Sequence, residues 1–136
     1  MSYAVYKLIH FLGIFTIVAI LAATAMHVLR GGTRADNPYR RTFAVAHGIA
    51  AFLVLLGGFG MLARMKIVSG GLPGWVIAKL VIWLVLSAAL TLPYRGRTLA
   101  RALLVALPIL AMGAGAVALY KPFTATPAVT AQPASP

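Results

Sequence analysis

Apolar residues run almost unbroken through four stretches of this chain, 3–29, 42–63, 74–92 and 99–119, and most of the charged residues gather between them or at their ends. About 20 apolar residues wound as a helix cross the ~30 Å hydrocarbon layer of a bilayer, and a helix satisfies its own backbone hydrogen bonds on the way. None of the four stretches carries the polar face that a helix of a soluble domain shows to water. The pattern therefore predicts an all-α protein, a four-transmembrane-helix antiparallel bundle filling residues 1–120, with 121–136 as a disordered C-terminal tail rich in Pro, Ala and Thr.

The polar connections support that division. Residues 30–41 (RGGTRADNPYRR) end one helix at Gly31-Gly32 and turn at Asn37-Pro38. Residues 64–74 (RMKIVSGGLPG) and 93–98 (PYRGRT) are short, and short connections make neighbouring helices run in opposite directions. The first stretch ends near a small-residue run, Ala23-Thr24-Ala25, that resembles a signal-peptide cleavage site. It is longer than a signal-peptide core and follows no basic segment, so it is expected to remain as a helix. Small residues at Ala44, Gly48, Gly57, Gly58, Gly60, Ala102, Ala106, Ala111 and Gly115 let helix backbones approach, and Pro108 is expected to kink the last helix.

Composition narrows the chemistry. The chain is 62% hydrophobic with a mean hydropathy of +0.96, has no cysteine, and has one acidic residue, Asp36, in the first loop. Disulfides, thiolate metal sites, iron–sulfur clusters and covalently attached haem are excluded, as are paired-carboxylate catalysis and hard-cation sites. The net charge of +11 comes from residues at helix ends, not from a stripe with interleaved aromatics. Its expected partner is the anionic headgroup layer of a lipid bilayer and not nucleic acid. Arg30, Arg34, Arg40, Arg41, Arg95, Arg97 and Arg101 belong to one side, and Lys7, Arg64, Lys66 and Lys121 to the other. The positive-inside rule places the arginine side in the cytoplasm of a bacterium and both termini on the extracytoplasmic face of its inner membrane.

Ionisable residues inside a bilayer face the bundle interior and find partners there, so His10, His47 and Lys79, with His27 near a helix end, are the candidate functional residues. From the rise per residue, His10 and Lys79 lie roughly 9 and 6 Å from mid-helix toward the outer face, and His47 and His27 roughly 9 and 16 Å toward the inner one. Trp75, Lys79 and Trp83 recur every four residues on one helix face, which suits a cation held by aromatic rings and a pocket for a carboxylate or phosphate. The alternative is a lysine that snorkels to the interface beside anchoring tryptophans. His27 and His47 are candidates for an axial pair on non-covalent haem b, and His10 with Met61 or Met65 for a His/Met site on haem or copper. Each histidine can equally serve as a hydrogen-bonding partner between helices. Ser87 and Thr91 are expected to bond their own helix carbonyls.

Three short segments carry a resemblance. Tyr6-Lys7-Leu8-Ile9-His10 resembles the K-x-x-H opening of small four-helix bacterial membrane proteins of the SirB kind, and Arg40-Arg41 ahead of His47 is similar to their second helix. Trp75-Val76-Ile77-Ala78-Lys79-Leu80 resembles a W-x-x-x-K-L motif shared by the SirB and HemJ kinds. HemJ-type proteins are protoporphyrinogen oxidases that bind haem, and the resemblance implies places for His10 and Lys79 near a porphyrin and its propionates. This chain has Ile17 where they carry tryptophan, and Ile77 where a second polar residue is expected. The residues thus support a membrane protein binding haem b or a porphyrin-like ligand through His10, His47, His27, Lys79 and Trp75, with His10 and His47 as metal ligands. Two other readings stand beside it: a cofactor-free subunit that docks on a larger membrane complex or a second copy of itself, and a HemJ-like oxidase.

Overall fold

The computed structural model describes residues 1–65 and 72–121; of the expected tail only Lys121 is described, and Lys66 lies outside the described residues. Among the described residues the chain is helical, with no strand: α1 Tyr3–Leu29, α2 Arg40–Arg64, α3 Gly74–Ala88 and α4 Arg97–Tyr120. A seven-residue 3₁₀ segment, Ala89–Arg95, continues α3, and together they form one of four helices apolar and long enough to cross a membrane.

Local chemistry sets the ends. Ser2 Oγ accepts from the Val5 amide to cap α1. At the other end Gly31 adopts φ +95°, so that its amide bonds Val28 O while Gly32 bonds His27 O, a Schellman closure that a side chain at position 31 would strain. The α3 α-helix stops four residues short of the apolar stretch because Pro93 has no amide to bond the carbonyl of Ala89 and its ring crowds that carbonyl, so the chain tightens into 3₁₀ geometry there. α2 and α4 begin two residues earlier than their apolar stretches, at Arg40 and Arg97, because hydropathy marks the bilayer and not the first helical turn.

α1 is the centre of the packing, set chiefly against α2 and next against α4. Glycines on both helices bring the α1 and α2 backbones together. A Cβ on Gly13 would sit 2.7 Å from Ala50 O, one on Gly57 would sit 2.6 Å from Tyr6 O, and one on Gly60 would strike the Tyr6 ring. Ile17, Leu21, Ala25, Val54, Ala100 and Leu103 form the main core, with Leu21, Ala25 and Ala100 wholly buried. The opposite face of α2 leaves Val45, Ile49, Phe52, Leu56 and Phe59 exposed, an apolar stripe at helical spacing. Apolar residues inside and outside the same helix are what a bilayer requires and what water would penalise.

Candidate functional site

His10, Lys79 and Trp75 line one cavity of about 200 Å³, together with Met61 and Met65. Its walls come from the first turns of α1 and α3 and the last turns of α2 and α4, since Tyr3, Trp75, Leu62 and Ala118 also border it. The glycines of α2 make room for the histidine. Gly57 and Gly58 lie against His10, where a Cβ on Gly57 would come within 2.7 Å of the His10 Cβ.

The His10 tautomer follows from its partner. Nδ1 lies 2.7 Å from Val54 O, and a carbonyl only accepts, so Nδ1 carries the proton and donates. In the neutral ring, Nε2 then holds a lone pair. A histidine whose other nitrogen donates to a carbonyl is the arrangement in which imidazole ligates metals, because the second bond fixes the ring and its tautomer. Lys79 sits over Trp75, its Nζ 5.4 Å from the ring centroid. Trp83 does not complete an aromatic sandwich around the lysine; its Nε1–H donates to Ala51 O at 3.0 Å and ties α3 to α2. The only acidic side chain in the chain, Asp36, belongs to the first loop, so among the described residues no carboxylate side chain lines the cavity beside Lys79.

The other two histidines have separate partners. His47 is 4% exposed and its Nε2–H donates to Ser87 O at 3.1 Å. Its Nδ1 is buried with no hydrogen-bond partner, and so is Ser87 Oγ. Ser87 therefore departs from the expected bond to its own helix, whereas Thr16 and Thr24 do bond the carbonyl four residues back. His27 Nε2–H donates to Asp36 Oδ1 at 2.9 Å and to Thr33 O at 3.0 Å. The same Asp36 oxygen accepts from the Thr33 amide at 2.7 Å. That amide bond, with a smaller contribution from the His27 side chain, holds the Asp36 carboxyl below its ordinary range. His27 thus closes the first loop and shares no partner with His47.

One link escaped the sequence reading. Asn37 is buried and joins the loops, donating from Nδ2 to Tyr94 Oη at 2.7 Å and accepting the Tyr39 amide on Oδ1 at 2.9 Å. Its only sequence signal was an Asn-Pro turn, which does not reveal a partner 57 residues away.

The chain matches no protein-family model, and no curated protein or solved structure is significantly similar to it. Among the described residues no three His, Cys, Asp or Glu side chains gather as a metal site. A porphyrin is different, because it brings its own equatorial nitrogens and asks the protein for one or two axial ligands. The residues present fit that demand: an imidazole lone pair on His10, thioethers on Met61 and Met65, and a cation for a propionate on Lys79.

Proposed function

We propose that this is a multi-pass protein of the bacterial inner membrane, an antiparallel four-helix bundle with both termini outside, that binds an apolar ligand bearing an anionic group between His10 and Lys79. A ligand class that would use both His10 and Lys79 is a porphyrin, with haem b as its iron form. The observation that carries the reading is the His10 Nδ1–H bond to Val54 O, which leaves Nε2 as an acceptor in a cavity lined by Lys79 and Lys121 and, among the described residues, by no acidic side chain. Lys79 would take the propionate charge, Trp75 would shield the lysine from lipid, and Met61 or Met65 would offer a thioether as a second ligand. A cavity near 200 Å³ is below the ~300–1,000 Å³ of sites that enclose a small molecule, so part of the ligand would lie against lipid. Bound haem supplies a one-electron redox centre; the chain itself supplies the ligand, the counter-charge and the apolar wall.

The test is a reduced-minus-oxidised absorbance spectrum of the protein purified in mild detergent from cells fed a haem precursor. A b-type signal is expected, abolished in His10→Ala and weakened in Lys79→Gln, with helicity unchanged by circular dichroism. The same signal in His10→Ala would remove His10 from the ligand set. A flat wild-type spectrum at full folded yield would overturn the haem reading and favour a cofactor-free subunit.

A further inference from the structure

At the opposite end of the bundle from the His10–Lys79 cavity, an apolar groove of about 460 Å³ runs between the last turn of α3 with the 3₁₀ segment and α4. Ala88 and Ala89 on one side and Ala102 and Ala106 on the other are its small residues, set among Leu and Val side chains. Arg95 borders its mouth and Thr91 lies beside it, while the far end reaches Leu110. Along α4 the lining residues Leu99, Ala102, Leu103, Ala106 and Leu110 keep helical spacing, so the groove follows one face of the helix.

Its length is informative. The eleven-residue step from Leu99 to Leu110 corresponds to about 17 Å of helix, close to half of a ~30 Å hydrocarbon core, which is the depth of one leaflet. The cation stands at the loop end of this run, where headgroups lie, and the rest is hydrocarbon-like. No carboxylate borders the groove; Asp36 is engaged by His27 and Thr33. An unfilled apolar cleft forfeits dispersion contacts along its whole lining, and in a bilayer the adjacent material is lipid chain.

We propose that this groove binds one acyl chain of an anionic phospholipid, with the lipid phosphate on Arg95. The alanines set the width, the 3₁₀ segment forms part of one wall, and Arg95 selects the headgroup. This site is independent of the ligand between His10 and Lys79, and it needs only that the four helices span a membrane.

The experiment is native mass spectrometry of the full chain released from nanodiscs of mixed phosphatidylglycerol and phosphatidylcholine. Wild type is expected to retain one lipid, with phosphatidylglycerol preferred. Arg95→Gln should cut that preference about fivefold, in keeping with one basic residue at a membrane surface. Ala102→Leu, at an exposed groove position, should remove the retained lipid by filling its place. Arg34→Gln, in the first loop and away from the groove, should change neither. Circular dichroism checks that each variant is folded, and Arg95→Gln tests the headgroup contact even if Ala102→Leu does not fold. An equal loss in Arg34→Gln would mean a diffuse charge effect and would overturn the proposal. So would phosphatidylcholine retained as well as phosphatidylglycerol, a lipid that survives Ala102→Leu in folded protein, or a dimer cross-linked through position 102.

Discussion

Single residues in this protein act through backbone carbonyls more than through each other. His10 reaches Val54 O, Trp83 reaches Ala51 O and His47 reaches Ser87 O, each across a helix interface. A helical carbonyl keeps a second lone pair after its own helix bond, so it accepts a side chain from a neighbouring helix without losing the first. That choice is forced by composition: with one acid in the chain, donors inside the bilayer have little else to bond. Where the acid does occur it makes the one titratable joint of the loop. The Asp36 carboxyl lies below its ordinary 3.8, so the contact it makes is intact above that pH and is lost as pH falls through the lowered value. The Thr33 amide resonance is therefore expected to stay constant across the neutral range and to shift only in acid, as pH falls through the lowered pKa of Asp36. In Asp36→Asn, which keeps an acceptor oxygen without a proton to gain, the profile should be flat. A wild-type transition that persists in Asp36→Asn would show that the Asp36 carboxyl does not govern the joint.

Helices pair here by removing side chains, and α1 against α2 is the clearest instance. Gly57 faces the Tyr6 carbonyl and His10, and the gap has no room for a methyl group. Gly57→Ala should push the two helices apart and destabilise the protein by about 1–3 kcal/mol, the usual cost of overpacking. Gly48→Ala, where a Cβ meets nothing within 4 Å, should be neutral or stabilise by up to about 1 kcal/mol through helix propensity. Thermal unfolding in detergent separates the two; equal midpoints would show that α1 and α2 do not depend on this contact. The four apolar stretches and the small residues between them were legible from hydropathy, because lipid imposes length and apolarity directly. Which glycine meets which side chain was not, since that depends on helix rotation, and apolar residues on every face leave no moment to fix it. The grouping of His10, Lys79 and Trp75 was readable from helix depth and four-residue spacing. The Ser87 hydroxyl was not, because its own-helix bond is a local preference that packing against His47 overrides.

At the scale of the whole molecule the bundle can be inserted either way up without changing an internal contact, so sidedness rests on charge alone. The arginine-rich connections hold Arg34, Arg40, Arg41, Arg95 and Arg97, and retention of such loops in the cytoplasm is the basis of the proposed orientation. The absence of cysteine makes this directly measurable, since any introduced thiol is the sole target of a maleimide. Ala35→Cys, in the first loop, should resist a membrane-impermeant maleimide in intact spheroplasts and react once they are permeabilised. Ser135→Cys, near the end of the sequence, should react in both. The reverse pattern would overturn the orientation and turn the His10–Lys79 cavity toward the cytoplasm, where its ligand would be taken from the cell interior. It would also move Arg95 to the outer leaflet, so that the lipid groove would draw from a different headgroup population. Sidedness thus decides which compartment each of the two proposed sites would sample, while the contacts that build them stay the same.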